Sequence, residues 1–145
     1  MIKQKIYLEK YDWSITVFYA VTHYDKKEIL KATQEVGANI GILYRVCTNL
    51  NNTRNSGDAY SNFDKRKSVM VIGRCDEAEQ YMDSIVHEIG HVATHIADCD
   101  GINPYGEEPQ YIAGEIARLM YPKAKKLLCP DCLEHLRASL SVFRI

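Results

Sequence analysis

No stretch of the chain reaches the roughly 18 consecutive apolar residues that a membrane-spanning helix needs, so no such span is expected. The first residues, MIKQKIYLEKYDW, also lack the apolar run of an export signal. Net charge is nearly absent: 18 Lys+Arg stand against 19 Asp+Glu. That balance excludes a basic surface for nucleic acid and an acidic, solvating tail. There are no internal repeats and no low-complexity segments. The five cysteines are an odd number in a chain without an export signal, which argues against a disulfide framework and for reduced thiols. A cytoplasmic protein is expected, with neither nucleic acid nor membrane as partner, and its oligomeric state is left open.

The 145 residues are expected to form one domain, 1–145, long enough to bury a core but too short for a separate substrate domain. Ten tyrosines are many for this size and suggest amphipathic surfaces or a cleft wall.

Residues 2–10 and 13–22 are rich in β-branched and aromatic side chains, with alternation at Ile15, Val17 and Tyr19. They predict two strands with a break near Asp12. A helix follows from Asp25 as N-cap, with Glu28 at the capping-box position and Gly37 closing it. Residues 38–48 read as a strand, 49–67 as a long polar loop, and 68–73 (SVMVIG) as a short apolar strand. Residues 75–98 predict a helix with Asp76 as cap. The turn GINPYGEEPQ follows, then a helix over 107–121 stopped by Pro122, and a last helix over 129–143. A strand-rich first half and a helical second half make the class α+β.

The motif helix carries His87-Glu88-Ile89-Gly90-His91. Positions i and i+4 share a helix face, about 6 Å apart along the axis, so two imidazoles can hold one Zn²⁺ from the same side. Glu88 then lies beside the ion, where a general base for a zinc-bound water is needed. Ile85, Val86, Ile89, Val92 and Ile96 supply the half-buried helical setting, and 98–101 ends it.

Zinc requires a third protein ligand. His95 extends the i+4 ladder but lies roughly 12 Å along the axis from His87, too far to share an ion with it on an unbroken helix. Residue 97 is alanine, which excludes the metzincin pattern. The downstream acids Glu107, Glu108 and Glu115 remain as candidates, all on the following helix. Cys129-Pro130-Asp131-Cys132 is half of a zinc ribbon or a redox pair, and without a second pair it reads most simply as a helix start.

The stretch NSGDAYSN…RKSVMVIG…HEIGHVATHIA…INPYGEEPQYIAGEIA, over roughly residues 55–125, resembles a group of small zincin-like proteins of phages and Bacteroides-type bacteria. The resemblance implies a minimal gluzincin core of edge strand, motif helix and glutamate helix, with SVMVIG as the edge strand along which a peptide substrate would extend. In gluzincins the ligand glutamate is followed four residues later by a polar residue. Glu107 with Tyr111 fits that spacing and Glu108 with Ile112 does not, which ranks Glu107 first, Glu108 second and Glu115 third.

The expected activity is that of a zinc metallopeptidase, with Glu88 as general base, a peptide or protein as substrate, and Tyr105, Tyr111 or His95 as donor to the oxyanion. The alternative is a zincin-fold regulatory or binding protein with a structural metal and no proteolysis.

Overall fold

The computed structural model describes residues 1–52 and 57–142. Two of the expected strands form at the start of the chain: β1 (Ile2–Leu8) and β2 (Trp13–Val21) pair antiparallel, Ile2 opposite Tyr19 and Leu8 opposite Trp13. The break falls where expected. A single 3-10 turn, Glu9–Tyr11, ends on Asp12 in the left-handed region (φ 47), and the Tyr7 hydroxyl donates to the Asp12 carboxylate at 2.7 Å.

Helix α1 (Lys26–Glu35) follows, preceded by a turn in which the Asp25 carboxylate accepts from the Thr22 N–H at 2.9 Å. Residues 40–51 then depart from expectation. Instead of a strand they form helix α2 (Ile40–Asn51), started by Asn39, whose side chain accepts from the Ile42 N–H at 3.0 Å. Ile42, Val46 and Leu50 stand four apart and pack together on one side. Local β-branched content suggested a strand, but the helical spacing of those three residues and the Asn39 cap decide for a helix.

The expected loop 49–67 is also corrected. Its second part forms strand β3 (Gly57–Asn62), while 53–56 lie outside the described residues. β3 pairs antiparallel with β4 (Lys67–Gly73), and β4 pairs parallel with β2, giving the order β1-β2-β4-β3. SVMVIG is therefore an interior strand, and β3 is the edge. Its apolar run fits that place, since Val69 and Val71 pack toward α1 and α2 while Met70 and Ile72 pack toward the other face.

Three helices complete the chain. α3 (Ala78–Asp100) and α4 (Glu108–Leu128) lie together on the face opposite α1 and α2, and α5 (Pro130–Val142) follows. α3 ends on Gly101 at φ 66, with the Ile102 N–H returning to the Ala97 carbonyl at 2.9 Å, a turn that glycine enters without Cβ strain. Its N-cap is Glu77 rather than Asp76. α4 does not stop at Pro122. The proline forfeits one backbone bond, but the buried stripe Ile116, Met120, Ala124 and Leu127 carries the helix through it.

The fold is thus a mixed α+β arrangement of a four-stranded mixed sheet and five α-helices among the described residues. No described helix is long and apolar enough to cross a membrane.

Candidate metal and catalytic site

The edge strand β3 sorts its side chains by the two-residue period of a strand. Gly57 and Ser61 face α3, whereas Asp58 and Tyr60 face α2. A cavity of about 550 Å³ opens at this edge, lined by Arg45 and Asn49 of α2, Gly57–Ser61 of β3, Phe63, and His87, Glu88, His91 and His95 of α3.

Helical geometry places the motif residues. Ile85, Ile89, Val92 and Ile96 bury one face of α3. His87 and His91 flank that face at its exposed margin, and Glu88 turns inward to 5% exposure. The two imidazoles converge, with His87 Nε2 and His91 Nε2 3.0 Å apart. Two nitrogens on one tetrahedral zinc stand roughly 3.3 Å apart at ordinary Zn–N lengths. The pair therefore matches two positions of such an ion within a few tenths of an ångström.

Glu88 is buried beside them. Its Oε2 has no hydrogen-bond partner among the described residues. A buried carboxylate oxygen without a partner is costly and points to a bound proton or to an absent group. Burial, with a smaller contribution from the Asp58 charge, pushes the carboxyl up to about 7, and Arg45 opposes the rise. Asp58 is itself held by Arg45 Nη1 at 2.7 Å and Asn49 Nδ2 at 3.3 Å. Gly57 makes room for Glu88: a Cβ there would meet Glu88 Oε1 at 2.7 Å and the Val71 carbonyl oxygen at 2.7 Å.

A hydrogen-bonded file runs behind His95. Trp13 Nε1–H donates to Ser68 Oγ at 2.8 Å, Ser68 Oγ lies 2.7 Å from Ser61 Oγ, and Ser61 Oγ lies 2.7 Å from His95 Nδ1. An indole N–H can only donate. Within the file, the buried Ser68 proton finds an acceptor in Ser61 Oγ, which in turn either donates to His95 Nδ1 or accepts from it, according to the ring's tautomer. Burial, then the neighbouring His91, lowers the His95 pKa.

The acids of α4 lie elsewhere. Glu108 accepts from the Tyr11 hydroxyl at 2.9 Å and from Lys10 Nζ at 3.4 Å. Glu107 is the N-cap of α4, and its carbonyl accepts from the Gln110 and Tyr111 N–H groups. Glu115 pairs with Arg118 at 2.6 Å. None of the three lines the cavity. The reason is the side on which α4 packs: Gln4 of β1 donates to the Leu119 carbonyl at 2.8 Å, so α4 sits over β1, while the histidines face β3 at the far edge of the sheet. Among the described residues no three His, Cys, Asp or Glu side chains stand together as a metal group.

The tyrosines weighed as oxyanion donors are also outside the cavity, Tyr105 at 95% exposure and Tyr111 at 71%. Sequence reasoning did not find Arg45, Asn49, Asp58 or Ser61. Asn39 as a helix cap would have pointed to α2, but nothing local marks Gly57–Asn62 as the strand that faces the motif. Comparison of the chain with protein families, with curated proteins and with solved structures found no match.

Proposed function

We propose that the chain is a zinc-dependent hydrolase of metallopeptidase type, built on a minimal zincin-like core, with Glu88 as general base. The observation that carries this reading is Glu88 Oε2, buried and without a described partner beside two converging imidazole nitrogens. His87 and His91 would supply two of the ion's ligands through Nε2, and among the described residues no third protein ligand stands with them. A zinc ion there would supply a Lewis acid for a carbonyl oxygen and acidify a water molecule.

The protein's own part follows from its side chains. Glu88, a buried carboxylate that lines the same cavity as the two imidazoles, would take up the proton at Oε2 as general base. Gly57 leaves it room to do so. His95, which lines the cavity, would donate from Nε2 to an oxygen that gains charge there. β3 presents the open edge of the sheet beside the cavity, and an extended peptide would pair there by strand addition. This gives β3 the role that the resemblance suggested for SVMVIG.

The test compares zinc-loaded wild type with Glu88→Gln on a library of linear peptides, reading new termini by mass spectrometry. The variant should keep its zinc and lose cleavage by a factor on the order of 10²–10⁴. If zinc is bound but no terminus depends on Glu88, the reading falls and a regulatory or binding role for the fold takes its place.

A further inference from the structure

α4 and α5 meet at Cys129. Its backbone is extended there (φ −101, ψ 122), and its carbonyl accepts the Leu133 N–H at 2.8 Å. Cys129 is therefore the N-cap of α5, Pro130 its first residue and Cys132 its third. An N-cap side chain folds over the first turn toward the N–H groups of the second and third residues, which is why serine and aspartate favour this place. Here a sulfur occupies it. The donors within reach of a sulfur at this position are the Asp131 and Cys132 backbone N–H groups and the Cys132 thiol. Pro130 carries no N–H to divert them.

These donors favour the thiolate of Cys129 and hold its pKa below the ordinary thiol value, while the same contact raises that of Cys132. Both thiols are reduced, Cys129 half-buried and Cys132 exposed. Cys75 differs: it is buried, and burial pushes its thiol up.

We propose that Cys129 and Cys132 are a thiol–disulfide exchange site, Cys129 attacking and Cys132 resolving, whose substrates are low-molecular-weight disulfides. The Cys129 thiolate attacks one sulfur of the small disulfide, breaking its S–S bond and expelling one small thiolate. The Cys132 sulfur, giving up its proton to solvent, then attacks Cys129 Sγ and expels the second. Two protein thiols are oxidised, one disulfide is reduced to two thiols, and no other oxidant enters. A bond between the N-cap and the third helical residue closes a four-residue ring across the joint of α4 and α5. The site is remote from His87 and His91 in sequence and stands independently of the hydrolase reading.

The experiment uses the full-length reduced protein in chelator, with oxidised glutathione as probe. Intact mass should show loss of two hydrogens, mapped to the peptide carrying 129–132. Cys132→Ser should instead accumulate a glutathione adduct on Cys129, and Cys129→Ser, which keeps a good N-cap, should form neither product. Iodoacetamide should label Cys129 at least about tenfold faster than Cys47 at neutral pH. The proposal is overturned if Cys129 is labelled no faster than Cys47, if both thiols stay reduced in oxidised glutathione, or if the disulfide forms between other cysteines. Equimolar zinc shielding both thiols in the His87→Ala, His91→Ala protein, with no disulfide formed after its removal, would make the pair a metal half-site and count equally against it.

Discussion

Gly57 and Glu88 share one small volume. A Cβ on Gly57 would stand 2.7 Å from Glu88 Oε1 and 2.9 Å from Glu88 Cγ, with the Val71 carbonyl oxygen closing the other side at 2.7 Å. The edge strand and the motif helix approach each other this closely because one of the two facing residues has no side chain.

Gly57→Ala should therefore destabilise the protein by about 1–3 kcal/mol, because backbone on one side and a buried carboxylate on the other leave little room to yield. Gly90→Ala and Gly114→Ala are the controls. A Cβ at either would meet nothing within 4 Å, and in a helix interior alanine should gain about 0.5–1 kcal/mol over glycine. Urea unfolding of the three variants checks both signs at once.

The file behind His95 predicts two different effects. Ser68→Ala removes the acceptor of the buried Trp13 N–H and should cost about 1–3 kcal/mol of stability. Ser61→Ala takes a hydrogen-bond partner from the buried Ser68 hydroxyl and should also cost about 1–3 kcal/mol. Unlike Ser68→Ala, it frees the His95 ring directly and should lower turnover about tenfold with zinc content unchanged; His95→Ala should lower it further, on the order of 10². Unfolding midpoints and turnover measured on the same preparations separate the two.

Zinc titration of single variants addresses the ligands. His87→Ala and His91→Ala should each weaken binding at least about 10²-fold, whereas Glu107→Gln and Glu108→Gln should leave it unchanged, because Glu108 is engaged by Tyr11 and Lys10 across the sheet. Chelation should leave the far-ultraviolet circular dichroism in place, since the core of Trp13, Ile15, Val17, Ile96, Ile112 and Ile116 does not depend on the ion. Loss of zinc affinity in Glu107→Gln or Glu108→Gln would instead show that the start of α4 reaches the site.

Arg66 and Asp100 set an acid limb of stability. Their side chains pair through two bonds, Arg66 Nη1 to Asp100 Oδ1 at 2.8 Å and Nη2 to Oδ2 at 2.9 Å, and Arg66 lies over the Trp13 ring. Hydrogen bonding to the guanidinium holds the Asp100 carboxyl below its usual range. A depressed folded-state pKa stabilises above the unfolded value, about 3.9, and the contribution is lost as pH falls through the folded one. Asp100→Asn should thus cost up to about 1 kcal/mol at neutral pH, and the difference from wild type should vanish in strong acid. Denaturation midpoints across pH 2–7 measure it.

The sequence by itself determined the elements whose signals are local. The β1–β2 hairpin follows from alternation broken at Asp12, α1 from its apolar spacing, and α3 from a periodic stripe closed by Gly101. The approach of His87 to His91, with Glu88 turned toward the core, follows from helix geometry alone and needs no partner element. The tertiary structure decided everything that depends on what lies opposite. GDAYSN is polar and reads as loop, yet it becomes the edge strand because β4 offers it a full ladder and α3 takes Gly57 and Ser61 against Glu88 and His95. Residues 40–51 are helical because Ile42, Val46 and Leu50 have a sheet face to cover, and that helix brings Arg45 to Asp58. The glutamates of α4 fit the spacing of a ligand in the sequence. The side of α3 on which α4 packs sets them over β1, because such packing follows from which faces are apolar along two whole helices, and no short motif carries that information.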